Sequence, residues 1–245
     1  MMILYHHLVC DRPHRFGVST AYFLRQVNYL LRHYRIVSLS EAVDLVRKGT
    51  VKVPTVAITF DDGYADNFVN LRAVTEETGL PIGYFISTEH ISSGREFAHD
   101  ELANERGFPP NTWEQIGFLK HSGFEIGSHT RNHADCGSTD RDFLRDEIVG
   151  SSRDIQEKIG PTAHFSFPFG LPENISALAA EIACSIYNNV FSAYRGGNYH
   201  ADSRRILRRG NFPHTVWELE LQLQSILTGD AAEPAHLQAR STQPT

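Results

Sequence analysis

Cysteine is scarce in this 245-residue chain, which has only Cys10, Cys136 and Cys184. Three thiols cannot all pair, and none sits in C-x-x-C spacing, so a disulfide framework is excluded. No apolar run approaches the ~20 residues of a membrane helix. Met1 to His6 is too short and too poor in basic residues for a signal peptide, which implies a cytoplasmic protein. Positive charge is also in short supply. The 23 Lys and Arg against 29 Asp and Glu leave a formal charge of −6, which argues against nucleic acid or an anionic membrane as the main partner. Internal repeats are absent. No G-x-G-x-x-G or Walker sequence follows a strand-like run, which counts against a nucleotide fold.

What remains is an ordinary globular composition, 41% hydrophobic and 11% aromatic. Short β-like runs alternate with amphipathic helical runs. Met2–His6 reads as a strand, and Ser19-Thr20 caps a helix that carries Phe23, Val27, Leu30 and Leu31 at helical spacing. Ser38 with Glu41 forms a capping box, with Gly49 as the stop. Thr55–Phe60 is a buried strand, Asn67–Thr78 a helix and Ile82–Ser87 a strand. Thr112 with Gln115 caps the next helix, and Phe124–Ile126 is a strand. Asp140 opens a long helix to about Ile159. His164–Phe167 (strand), Glu173–Ile182 (helix), Ser185–Val190 (strand) and Thr215–Leu227 (helix) follow. From Gly229 the composition predicts a disordered tail, which leaves residues 1–228 as one domain. This alternation predicts parallel strands covered by helices, an α/β barrel with its chemistry at the C-terminal ends of the strands.

The strand ends carry polar clusters. Thr55–Phe60 runs into Asp61-Asp62-Gly63-Tyr64. Two buried carboxylates need a cation or a shared proton, and Gly63 permits the turn that lets both reach one site. An Asx turn with one solvated Asp is the competing reading. Phe124–Ile126 runs into Gly127-Ser128-His129-Thr130-Arg131-Asn132-His133. On one helical turn His129 and His133 would face the same way, close enough for one ion. Unrelated surface histidines are the alternative. Together the two clusters offer two His and one Asp with open positions, a set suited to Zn²⁺ or another divalent first-row metal, and a second Asp as general base. His164–Phe167 runs into Pro168-Phe169-Gly170, a turn that offers a backbone N–H for an oxyanion and a ring for a sugar.

In order and spacing, Thr59-Phe60-Asp61-Asp62-Gly63, Ser128-His129-Thr130-Arg131-Asn132-His133 and Phe167-Pro168-Phe169-Gly170 resemble the first three motifs of the polysaccharide deacetylases, the NodB-homology proteins of carbohydrate esterase family four. The resemblance covers roughly residues 2–225. It implies a distorted (β/α)7 barrel of the TIM type. It implies Asp61 as catalytic base, with Asp62, His129 and His133 as ligands of one divalent ion, zinc or else cobalt, nickel or manganese. The Phe169 N–H would hold the oxyanion. The reaction would be removal of an N-acetyl group from a sugar or glycan. An amidase acting on a non-sugar C–N bond and an inactive sugar-binding barrel are the alternatives.

Two departures stand out. The third motif often begins with an Arg that contacts the base, and here that position is Ser166. Arg205 and Arg208 are candidates to replace it, and Arg208 is also a candidate substrate contact. The late Leu-x-His motif, which supplies the general acid, is not evident. Met2-Ile3-Leu4-Tyr5-His6-His7 is similar to the start of the exopolysaccharide branch, where motif order is permuted and this strand supplies the acid. Neighbours on a strand face opposite ways, so only one of His6 and His7 reaches the site. His6 is the favoured candidate, with His214 as a further one. The long polar segment from Ser92 to Pro110 reads as a lid or substrate wall, with Asp100 a candidate contact.

Overall fold

The structure, a computed structural model, describes residues 1–194, 196–198, 206–213 and 215–228. The expected tail, Arg205 and His214 lie outside the described residues. The strands are β1 (Met2–His6), β2 (Leu8–Val9), β3 (Gly17–Val18), β4 (Arg35–Ile36), β5 (Thr55–Phe60), β6 (Ile82–Ile86), β7 (Glu125–Ser128), β8 (His164–Ser166), β9 (Asn189–Phe191), β10 (Ile206–Leu207) and β11 (Gly210–Asn211). The helices are α1 (Thr20–His33), α2 (Leu39–Arg47), α3 (Asp66–Thr78), α4 (Thr88–Ser93), α5 (Ala98–Leu102), α6 (Trp113–His121), α7 (Arg141–Arg145), α8 (Ser151–Ile159), α9 (Ala177–Ile186) and α10 (Val216–Thr228).

One curled parallel sheet runs β10-β9-β8-β7-β6-β5-β1-β11, with β4 beside β5. Its two edge strands are separated in sequence by only Arg208 and Arg209. They act as one broken seventh strand that closes a distorted (β/α)7 barrel. The fold expected from strand–helix alternation is the fold observed. β2 and β3 form a separate small pair.

Period-2 alternation sorts β5. Val56, Ile58 and Phe60 pack outward with Phe23 of α1, Leu71 of α3 and Ile116 of α6. Burying each such side chain is worth roughly 1.5–3 kcal/mol. Ala57 turns the other way, toward Ile3, Phe85, Phe191 and Leu207 in the lumen. Leu39 and Val43 of α2 join that cluster and plug the lower end of the barrel. Gly83 makes room there, because a Cβ on it would lie 2.8 Å from Leu39.

The expected caps form, except that Ser38 and Glu41 make no reciprocal box, because the Glu41 carboxylate pairs with Arg35. Ser19 and Ser38 accept N–H groups of α1 and α2, and Thr112 with Gln115 makes a reciprocal capping box. Two further expectations need correction. The helix after Asp140 is interrupted by a π turn at Asp146–Gly150. The helix expected at Glu173–Ile182 is instead a 3-10 turn, Pro172–Asn174, followed by α9. α9 runs on to Ile186 because Ser176 caps it, so the next strand starts only at Asn189.

Candidate metal centre and active site

The site lies at the C-terminal mouth, where β5, β7 and β8 end. Alternation carries Thr59 and then Asp61 onto the lumen face. The chain turns at Asp62, itself left-handed at φ 71°, and at Gly63, φ 101°. A side chain on Gly63 would crowd Ile91 and Ile86 at 3.1 and 3.2 Å.

These neighbouring carboxylates have opposite surroundings. Asp61 accepts two parallel bonds from Arg209, Nη1 to Oδ1 and Nη2 to Oδ2, both 2.7 Å. Burial disfavours its charge, but the Arg209 guanidinium and His129 outweigh this and hold the carboxyl below its usual range. Asp62 is buried, and neither of its oxygens has a hydrogen-bond partner. Its nearest polar groups are imidazole nitrogens. His133 Nε2 lies 3.2 Å and His129 Nε2 3.7 Å from Oδ1, and His99 Nε2 lies 3.8 Å from Oδ2. Burial opposes ionisation here too, but His133 keeps the carboxyl well below the usual range.

His129 Nδ1 donates to the Ser166 carbonyl at 2.8 Å, which turns Nε2 toward the two aspartates. Burial pushes this imidazole down to about 4, so it is neutral at neutral pH, the form that binds metal. His129 and His133 meet with ring centroids 5.1 Å apart. They do so through an irregular turn with Thr130 at φ 64° and His133 at φ 53°, not through the helical turn that their spacing suggests. One ligand atom from each of Asp62, His129 and His133 lies within 4.8 Å of the others. A buried carboxylate without hydrogen bonds beside two imidazole nitrogens fits a divalent cation.

Pro168-Phe169-Gly170 forms the facing turn. Phe169 is left-handed at φ 59°, and its half-exposed ring stands edge-on to His133 at 4.8 Å. Gly170 admits no side chain, because a Cβ would lie 2.3 Å from Ala193 N.

Three sequence expectations are corrected. The guanidinium missing at Ser166 comes from Arg209, which spacing did not single out. All five of its N–H donors are used, on Asp61, Thr59 Oγ1, the Ser192 carbonyl and Ser166 Oγ. Arg208, its neighbour on the closing strand, points elsewhere. It is buried against Tyr194, 5.3 Å from the ring, and lines neither cavity at the mouth.

His6 lines the larger cavity at the mouth but not the pocket over the aspartates beside it. Its Nδ1 accepts the N–H groups of His7 and Leu8, and its ring packs among Phe60, Phe212 and Phe23. His7 is the one that lines the pocket with Asp61 and Asp62, stacked on Phe16 at 4.8 Å. Asp100 lines neither cavity at the mouth. It is buried, accepting Tyr64 Oη at 2.8 Å and lying 3.1 Å from His14 Nε2. Those contacts tie the 92–110 segment to the barrel and bring His99 to the pocket wall. The pocket over the aspartates measures about 110 Å³. It adjoins a cavity of about 530 Å³ walled by Tyr5, Phe16, Leu171, Tyr194 and Phe212.

A parallel barrel with a two-His, one-carboxylate cluster and a separate arginine-held carboxylate at its mouth has the architecture of a hydrolase. The family model for polysaccharide deacetylase matches residues 48–184, more than half of the chain, and the chain belongs to that family. Among solved structures, IcaB from Ammonifex degensii is 21% identical with a TM-score of 0.76, over 91% of this chain and 96% of that one. The Streptococcus pyogenes deacetylase PplD is 17% identical with a TM-score of 0.74, over 91% and 97%. A de-N-acetylase from Aggregatibacter actinomycetemcomitans is 20% identical with a TM-score of 0.70, over 85% and 93%. At these identities the likeness concerns the fold. A search of curated proteins finds no match.

Proposed function

We propose that the protein removes N-acetyl groups from an amino sugar in a polysaccharide, glycolipid or glycan precursor, releasing acetate and a free amine. The observation that carries this is the division of labour between Asp61 and Asp62: one is locked to a guanidinium, the other is bare beside two imidazoles. Asp62, His129 and His133 would hold the ion, zinc or else cobalt, nickel or manganese. When bound, such an ion supplies a Lewis acid and lowers the pKa of a water toward ~7.

The chain's own groups do the rest. Asp61, kept ionised and oriented by Arg209, takes the proton from the attacking water. The Phe169 N–H donates to the oxygen on which charge develops. His7 protonates the departing amine. The small pocket suits an acetamido group, and the sugar rings lie in the larger cavity against Tyr5, Phe16 and Tyr194.

The test is acetate release from acetylated oligosaccharides, nucleotide sugars and lipid-linked sugars, with and without chelator. Chelation should stop release. Asp61→Ala should abolish it while keeping the metal, and His129→Ala should lose both. Metal-loaded protein that binds amino sugars without releasing acetate would be a sugar-binding barrel, and hydrolysis confined to non-sugar amides would make it an amidase.

A further inference from the structure

The geometry points to Glu147 as a positioning residue for the metal centre: its buried carboxylate holds the 129–133 turn in the shape that presents His129 and His133 together. This rests on the metal site proposed above. The turn is conformationally costly, with two non-glycine residues, Thr130 and His133, in the left-handed region. Such a shape persists only where the surroundings over-determine it.

The turn's polar groups are divided between two neighbours. The carbonyls of Thr130 and Arg131 accept from the first amides of α4, Thr88 N at 3.1 Å and Glu89 N at 2.8 Å. Its N–H groups go the other way. Arg131 N and Asn132 N donate to Glu147 Oε2 at 3.0 and 2.9 Å, and Asn132 Nδ2 donates to Oε1 at 2.7 Å. One carboxylate therefore collects three donors from the stretch between the two histidines.

Glu147 sits in the π turn Asp146–Gly150. That widened turn lets adjacent Asp146 and Glu147 both reach the same loop. The Arg131 guanidinium does not compete for Glu147. It lies across Gly150, where a Cβ would come within 2.7 Å of its Cδ. It pairs with Asp154 and Asp146, each at 3.0 Å. Glu147 is thus left to two backbone N–H groups on Oε2 and the Asn132 side-chain amide on Oε1, so both of its oxygens must accept. A carboxylate can do this, whereas an amide of the same size turns an NH₂ toward one set of donors.

The test is the zinc affinity of folded protein, read by competition with a chromophoric chelator. Glu147→Gln should weaken zinc binding by ~10–100-fold, as is usual when support of metal ligands is removed, while kcat at saturating zinc largely recovers. Asp146→Asn, on the exposed side of Arg131, should bind zinc within twofold of the parent. A Glu147→Gln protein that loses thermal stability yet binds zinc as tightly as the parent overturns the inference and leaves Glu147 a packing residue. Should that variant fail to fold, Glu147→Asp keeps both acceptors one methylene short and is judged by the same affinity. A parent that binds no zinc refutes the metal site itself, a separate outcome.

Discussion

At the lower end of the barrel, His164 has both ring nitrogens engaged. Asn189 Nδ2 donates to Nδ1 at 3.1 Å, and Nε2 faces Ser40 Oγ at 3.2 Å and Glu125 Oε2 at 3.5 Å. At the upper end, His129 is anchored through Nδ1 alone, and its Nε2 points at two aspartates. The backbone follows the same division. Asp62, Thr130, His133 and Phe169, four of the five non-glycine residues with positive φ among the described residues, stand at the mouth. Strain and an unbonded buried carboxylate each cost stability, and both are gathered at one end. The lower end, where one buried amide oxygen (Asn189 Oδ1) goes unbonded, holds the barrel together; the upper end, where a whole carboxylate goes unbonded, is shaped for something it must bind.

The largest effect should follow from mixing the two regimes. Arg209→Met would leave Asp61 charged, buried and unpartnered, at a cost of about 3–5 kcal/mol, and acetate release should collapse. Adding Asp61→Asn to that variant removes the buried charge and should restore much of the melting temperature but none of the activity. An Arg209→Met protein that melts like the parent would show that Asp61 is not held as a charge.

A finer division concerns His6 and His7. His7→Ala should lower kcat by ~10²-fold with little change in melting temperature. His6→Ala should do the reverse. It leaves two N–H groups without their acceptor, for about 1–3 kcal/mol, and opens a hole between Phe60 and Phe212. Thermal melts beside steady-state rates separate the two. A large kcat loss confined to His6→Ala would return the acid to that residue.

These two cases mark where reading the sequence succeeds and where it stops. Local signals were legible: the apolar run Thr55–Phe60, the capping residues at Ser19, Ser38 and Thr112, and the polar clusters that follow single strands. Arg209 was not legible, because it reaches Asp61 across 148 residues through closure of the barrel. Which of two adjacent arginines turns inward depends on a break between β10 and β11 that spacing does not register. That His7 rather than the favoured His6 lines the pocket with the aspartates was not legible for a related reason. β1 ends at His6, so strand alternation no longer governs the next side chain. The π turn that delivers Glu147 likewise breaks the 3.6-residue period from which helical faces are read.

The smallest effect belongs to the lower end. Burial lowers the His164 pKa in the fold, against the raising influence of Glu125, while the unfolded imidazole keeps its value near 6.5. As pH falls below ~6.5 the unfolded chain takes up a proton that the folded chain refuses, so stability falls with pH across that window. His164→Leu removes this term but leaves the Asn189 amide without its acceptor. The variant should melt a few degrees lower at neutral pH, with less further loss toward pH 5. Zinc affinity and acetate release should stay within twofold of the parent, because no contact of His164 reaches the mouth. Melting curves at pH 7.5, 6 and 5 check the first claim. A variant that also loses its metal would show that the two ends are coupled and that the comparison drawn between them fails.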